Sequence, residues 1–241
     1  MASERETKSF LAGLCKQAKR YGDMAKYMKE VAKCGGELSM DERSLLTVAF
    51  NNIVRTRRES WRRIASIEQE SKGSEKHVIT ICEYRQKIET ELGNVCEDVL
   101  DVLDELLIHQ PESGESKVLY NKMKGDYHRY LAEFASGEKR KVAAAAAEEA
   151  YKTATDVAQT ELTLTHPLRL ALALNVSVFY HEILNFPDHA YHLAKQAIWG
   201  ATAALASLPE DSYRNSAHII QLLRDNLTLW GQLDNYGRLA L

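Results

Sequence analysis

The stretch Ser39-Met40-Asp41-Glu42-Arg43-Ser44-Leu45-Leu46-Thr47-Val48-Ala49-Phe50-Asn51-Asn52-Ile53 opens a long helix and decides the fold class. Ser39 and Glu42 have capping-box spacing, in which each side chain satisfies a backbone N–H at the helix start. Leu45, Leu46, Val48, Ala49 and Ile53 then recur at helical intervals. Outward from this segment, Pro111, Pro167, Pro187 and Pro209 all fall between periodic apolar runs, where proline breaks no helical hydrogen-bond ladder. The pattern predicts helices over 4–18, 21–34, 40–71, 76–109, 115–136, 139–163, 167–184, 188–205 and 212–232, and no stretch reads as a strand. Helices 40–71 and 76–109 are long and too charged for full burial, so they are expected to run side by side with one face in solvent. The alanine- and glutamate-rich run Val142–Ala150 reads as helix and carries no functional signal. No composition shift or long linker divides the chain, so a single all-α domain over 1–241, a bundle or solenoid, is expected.

The composition is that of a globular chain: 45% hydrophobic, 27% charged, formal net charge −3. That balance gives no nucleic-acid signature. A local excess of Arg5, Lys8, Lys16, Lys19, Arg20, Lys26, Lys29 and Lys33 over Glu4, Glu6, Asp23 and Glu30 reads as a solvated face. Cys15, Cys34, Cys82 and Cys96 form no CxxC pair, so neither a zinc site nor a redox motif is supported, and buried free thiols are expected. MASERETKSF has no apolar signal core, and the most hydrophobic run, Leu168–Leu184, is interrupted by Arg169, Asn175, Ser177, His181 and Glu182. No membrane contact is expected, and the cytoplasm, with access to the nucleus, is the expected location. There is no G-x-S-x-G, P-loop or H-E-x-x-H motif. His189 and His192 lie three apart without a third metal ligand, so no metal, cofactor or catalytic residue is expected, and no enzyme.

Basic residues give a sharper signal. Asn51, Arg55 and Arg58 share one narrow helical stripe; on a second helix Lys122 and Arg129 share a face, with Tyr130 beside them. Two arginine-bearing stripes converging on one anion suit a phosphate monoester, whose three acceptor oxygens guanidinium groups bind in pairs. Tyr130 adds a neutral donor. Leu222, Asn226 and Leu229 form an apolar stripe with one amide, and Leu174 and Val178 a similar pair beside Asn175. Such stripes usually face a core, but amides along a groove can fix an extended peptide backbone.

The stretches Arg57-Arg58-Glu59-Ser60-Trp61-Arg62, Ser66-Ile67-Glu68-Gln69, Lys122-Met123-Lys124-Gly125-Asp126-Tyr127-His128-Arg129-Tyr130-Leu131-Ala132-Glu133-Phe134, Thr165-His166-Pro167, Ser177-Val178-Phe179-Tyr180-His181-Glu182-Ile183-Leu184-Asn185 and Gln221-Leu222-Leu223-Arg224-Asp225-Asn226-Leu227-Thr228-Leu229-Trp230 together resemble the 14-3-3 family, in order and over nearly the whole chain. Gly73 to Ile81 and Tyr127 to Glu133 have a plant-like look. The resemblance implies nine antiparallel helices in a cup-shaped protomer, an amphipathic groove from helices near 40–71, 115–136, 167–184 and 212–232, and a phosphoserine/phosphothreonine-binding adaptor for phosphorylated clients. It places phosphate contacts on Arg58, Arg129 and Tyr130, with Lys122 nearby, and peptide contacts on Asn175 and Asn226. Glu182 and Trp230 line the same groove, and Leu174, Val178, Leu222 and Leu229 form its apolar wall. It also implies a homodimer, or heterodimer with related chains, through about 1–34 with 60–91. In that seam Leu14, Ala18, Arg20 and Asp23 face Tyr84, Lys87 and Glu91 of the other protomer. Arg20 would pair with Glu91 and Asp23 with Lys87.

The chain departs from the family pattern at several positions. Asn51 stands where a phosphate-site lysine is usual; losing a charge-assisted bond, about 1.5–3 kcal/mol, weakens affinity roughly tenfold to a hundredfold. Arg55, in place of glycine, is a candidate substitute cation. His218 replaces a leucine of the apolar wall and brings a titratable ring into it. Ala171 stands for glycine, Val176 for phenylalanine, His181 for tyrosine, and Trp199-Gly200 for an acidic pair. Ser60, after Arg57 and Arg58, fits a basophilic-kinase pattern, and a phosphate there would disfavour a dimer. The sequence ends at Leu241 without a long polar tail, so tail-based regulation is not expected. The alternative reading is a divergent structural or heterodimerising subunit whose phosphopeptide binding is weakened or lost through Asn51 and His218.

Overall fold

The computed structural model describes residues 3–71, 75–109, 113–205 and 210–238. Among these residues the fold is all-α: α1 Glu4–Gln17, α2 Tyr21–Lys33, α3 Met40–Glu70, α4 Glu75–Val102, α5 Gly114–Phe134, α6 Gly137–Glu161, α7 Pro167–Glu182, α8 Pro187–Leu205 and α9 Glu210–Arg238, with no strand. None of these helices is long and apolar enough to cross a membrane. Contacts group the chain into two compact units, Met1–Pro111 and Glu112–Leu241.

The first unit is organised by Glu42. The capping box read from the sequence is present: Ser39 Oγ accepts from Glu42 N at 3.2 Å, and Glu42 Oε2 accepts from Ser39 N at 2.9 Å. The same carboxylate accepts from Arg5 Nε at 2.9 Å, Arg5 Nη2 at 2.6 Å and Ser9 Oγ at 2.9 Å, which ties α1 to the start of α3. Arg5 also donates to the carbonyls of Gly35 at 2.8 Å and Glu37 at 2.9 Å. Gly35 and Gly36, at φ 76° and 74°, let the chain turn around that guanidinium in a conformation other residues avoid. The hydrogen bond from Arg5, opposed by burial and reinforced by the Ser39 N–H, pulls the Glu42 carboxyl down to about 2.

The expected pairing of the two long helices is present, because α3 packs along α4. Apolar burial is confined to one half of the pair. Buried residues on α3 end at Val54, and those on α4 begin at Ile88. The far half is held by polar contacts: Trp61 Nε1 donates to Glu89 at 2.9 Å, and Arg85 bridges Glu68 and Glu89. Two sequence expectations are corrected here. The segment expected as uninterrupted helix to 109 passes into a π turn at Leu103–Leu107; Leu100, Leu103 and Leu107 keep helical spacing through it, so the apolar period conceals the change. Of the four free thiols only Cys96 is buried, whereas Cys34 is exposed because it closes the C-terminus of α2.

The second unit is built on the α5–α6 hairpin, and Ala143, Ala144, Ala147, Tyr151, Ala154 and Ala158 of α6 share one buried cluster with Val118 and Ala132 of α5 and Leu172, Val176 and Phe179 of α7. Arg140 donates to the carbonyls of Ala132 at 2.8 Å and Ile183 at 3.1 Å, joining the ends of α5 and α7 to α6. A second cluster, including Leu170, Ala194, Ile198, Ile220, Leu223 and Trp230, packs α7, α8 and α9 together. Helix α9 runs to Arg238, past the expected end at 232, and Gly231 sits within it without ending it.

Because folding lowers the Glu42 pKa from 4.5 to about 2, the stabilisation by this carboxylate is complete above 4.5 and is lost as pH falls through about 2. Urea midpoints of wild type and Glu42→Gln are expected to differ at neutral pH and to converge across that window. A gap that stays constant down to the lowest pH would contradict the assignment.

Candidate functional site

Helices α5 and α6 approach closely at Gly125, where an added Cβ would lie 2.5 Å from Cδ1 of Tyr151. The missing side chain gives Tyr151 room to lie flat against α5 and reach the residue after the glycine. Its hydroxyl donates to Asp126 Oδ1 at 2.6 Å and accepts from Arg129 Nε at 3.0 Å. Asn175 on α7 donates to the same Asp126 oxygen at 2.7 Å, and Lys122 Nζ donates to Asp126 Oδ2 at 2.8 Å. Arg129 Nη2 lies 3.6 Å from Asp126 Oδ1, and its guanidinium carbon sits 4.6 Å above the centre of the Tyr130 ring. Tyr130 meets Tyr127 edge to face at 5.5 Å. Three helices thus converge on one carboxylate.

Asp126 and Arg129 are only 5% and 6% exposed, so the charges interact in a poorly screened environment. Burial alone would raise the Asp126 pKa; the charges of Lys122 and Arg129, with hydrogen bonds from Lys122 and Tyr151, outweigh it and hold the carboxyl below its ordinary value. Burial pushes the Tyr151 phenol well above its usual range, so it stays a donor. Two cations and one anion leave a net charge of +1. Among the described contacts the Nε edge of Arg129 is taken by Tyr151 and the Nη2 side faces Asp126, which leaves Nη1 for an external acceptor. An anion such as a phosphate matches that charge and donor geometry.

Asp126 and Tyr151 were not singled out by the sequence reading. The spacing Lys122-x3-Asp126-x2-Arg129 was the available signal for Asp126; nothing local marks Tyr151, which meets the site through tertiary packing alone. Other residues singled out on this unit lie on α7 and α9. Leu174 and Val178 are half-buried against the cluster that includes Ile219, Ile220, Leu223 and Leu227. On α9, Ile220, Leu223 and Trp230 face inward, while Leu222 is 38% and Leu229 54% exposed, with Asn226 half-buried between them. The Leu222–Leu229 stripe is therefore outside the core, and exposed His218 begins it. Trp230 is buried, with its ring stacked on His181 at 4.5 Å and 10°, so that imidazole acts as a flat aromatic partner. Glu182 is exposed at the end of α7.

Arg58, Arg55 and Asn51 lie on α3 of the first unit, Arg58 half-buried and the other two exposed. Arg55 Nη2 donates to Asn52 Oδ1 at 3.0 Å. On the residues expected at a dimer seam, Leu14 is 44% and Tyr84 54% exposed, and Ala18, Lys87 and Glu91 are exposed too. Phe10, one turn before Leu14 and 67% exposed, extends the patch and was not singled out from sequence. Within the chain Arg20 Nε donates to Asp23 at 2.6 Å and Glu91 lies 4.0 Å from Arg57. Ser60 is exposed, its hydroxyl bonded to the Thr56 carbonyl at 3.0 Å. Among the described residues no cluster of His, Cys, Asp and Glu could hold a metal ion.

A family model described as "14-3-3 protein" matches residues 11–231. The chain is 60% identical over 235 residues to a 14-3-3 protein homolog of Candida albicans, covering 97% of this chain and 89% of that protein. It is 61% identical over 223 residues to the 14-3-3 family protein artA of Aspergillus flavus, with 92% and 94% covered. Against the 14-3-3-like protein GF14 omega of Arabidopsis thaliana it is 56% identical over 234 residues, with 95% and 90% covered.

Tyr151→Phe removes the donor to Asp126 and the acceptor for Arg129 Nε without changing the ring that packs on Gly125. Leaving both buried groups short of a partner is expected to cost about 1–3 kcal/mol, read from urea denaturation. A loss indistinguishable from zero would show that the hydroxyl is not part of a bonded network.

Proposed function

The chain belongs to the 14-3-3 family of non-enzymatic phosphopeptide-binding adaptors, and from that premise we propose that Arg129 and Tyr130 of the second unit hold the phosphate of a client's phosphoserine or phosphothreonine, and that Arg58 of the first unit is likewise a phosphate-binding residue. The observation that carries this reading is the buried Asp126–Tyr151–Arg129 network. It fixes the guanidinium before a ligand arrives, so little side-chain freedom is lost on binding. A phosphate monoester brings a charge of about −1.5 to −2, whereas Lys122, Arg129 and Asp126 sum to +1, so a bound phosphate calls for positive charge beyond this network, and Arg58 is the cation proposed for it. Arg55, bonded to Asn52, is the candidate substitute for the cation missing at Asn51.

Asn175 gives one N–H to Asp126 and keeps its carbonyl and second N–H for a peptide backbone. Asn226 plays the matching part on α9, with Leu174, Val178, Leu222 and Leu229 receiving apolar side chains of the client, Trp230 and Glu182 bounding them, and His218 giving the wall a titratable edge. Phe10, Leu14 and Tyr84 are the apolar anchors of a dimer, homomeric or with a related chain. Ala18, Arg20, Asp23, Lys87 and Glu91 form its polar rim. Arg20 and Asp23 exchange their mutual contact for Glu91 and Lys87 across the seam, at about 0.2–1 kcal/mol per exposed pair, so they set register more than affinity. Phosphorylation of Ser60 opposes that dimer. Free thiols, one of them exposed, suit the reducing cytoplasm and nucleus.

Titration of one phosphoserine peptide and its unphosphorylated twin tests the reading. Binding is expected for the phosphopeptide alone; Arg58→Glu and Arg129→Glu are each expected to abolish it, and Asn51→Lys to tighten it about tenfold or more. Equal affinity for both peptides would overturn phosphate recognition. That result would favour the divergent, dimerising subunit instead.

A further inference from the structure

A trough with a volume of about 600 Å³ runs along α7 between α6 and α8, entirely within the second unit. Its existence follows from side-chain size. Ala145 and Ala158 on α6, Ala173 and Val176 on α7, and Ala197 on α8 all border it, and none is large enough to fill the space left between three helices. The volume falls in the range of small-molecule sites, roughly 300–1,000 Å³. Leu172, Val176 and Phe179 give it an apolar floor.

Its two ends differ in charge. At the end beside the C-terminus of α7, Glu148 and Glu149 stand on α6, Tyr180 on α7 and His189 on α8. Tyr180 donates its hydroxyl to Glu148 at 3.2 Å, and its ring meets His189 edge to face at 4.3 Å. Lys152 lies one turn along α6. Arg169, at the opposite end, is tied to the Leu162 carbonyl at 2.7 Å, and Asp156 also lines the trough. Glu148 and Glu149 therefore outnumber Lys152 and make that end anionic, with an aromatic ring beside the carboxylates, while Thr155, Gln159 and Gln196 add neutral polar groups along the apolar floor.

We propose that this trough binds a small organic cation, a protonated amine on a slender apolar body. The ammonium sits between Glu148, Glu149 and the Tyr180 ring, where carboxylate hydrogen bonds and cation–π attraction act together. The apolar body lies over Leu172, Val176 and Phe179. The site is distinct from the phosphate site, although Tyr151 lines the trough and its hydroxyl belongs to the network around Asp126.

Calorimetric titration of the full chain with decylamine and with decanoate, both below their micellar concentrations, tests the proposal. Decylamine is expected to saturate at one per chain and decanoate to bind about tenfold more weakly; Glu148→Gln combined with Glu149→Gln is expected to cost the amine a similar factor. Val176→Phe fills the floor and should abolish decylamine binding, and Ala173→Leu provides the same block by a smaller change. Equal binding of amine and carboxylate, undiminished binding in both filled variants, or no saturable binding of decylamine would each overturn it.

Discussion

A single carboxylate buried among three helices organises the second unit of this protein. Asp126 could not stay ionised at 5% exposure without Lys122, Arg129, Tyr151 and Asn175 around it, and those four groups would not point the way they do without Asp126. A buried charge lacking partners costs several kcal/mol, so the network forms as a whole or not at all. Its consequence is a guanidinium that is already oriented and charged. Arg129 is therefore better understood as a fixed donor than as a flexible surface cation.

The fold is arranged to make that meeting possible. Gly125 removes a side chain where Tyr151 must pass, and the alanines of α6 keep the hairpin tight along its length. The same small residues act in two directions, because where they face α5 they permit close packing and where Ala145 and Ala158 face α7 and α8 they leave a trough. Helix α9 completes the unit by turning Ile220, Leu223 and Trp230 inward, which leaves Leu222 and Leu229 outside with Asn226 between them. The result is an apolar stripe outside the core with an amide at its centre.

Much of this was legible because it is local. The Ser39–Glu42 capping box, the proline punctuation and the apolar periods are properties of a few neighbouring residues, and the helices they predicted are present with ends shifted by a few positions. Arg58 and Arg129 were legible as cations on helical stripes. Tyr151 was not, since its partner lies 25 residues away in sequence and no local pattern links them. The π turn was hidden by leucines that keep their spacing through it. Exposure of Leu222 and Leu229 depends on which face α9 packs, and a period alone cannot choose between two faces. Exposed Cys34 shows the same limit, because a thiol at a helix end is apolar by composition yet open by position. A trough is harder still to read, being made of atoms that are absent.

The central claim is that Tyr151 and Asp126 act on a phosphate through Arg129. A double-mutant cycle of Tyr151→Phe and Arg129→Lys, read as phosphopeptide affinity, tests it most directly. The account predicts strong coupling: removing the hydroxyl weakens binding in wild type and adds little once the guanidinium is gone. Additive losses would contradict it, because they would mean that Arg129 is held in place by something other than the network beneath it.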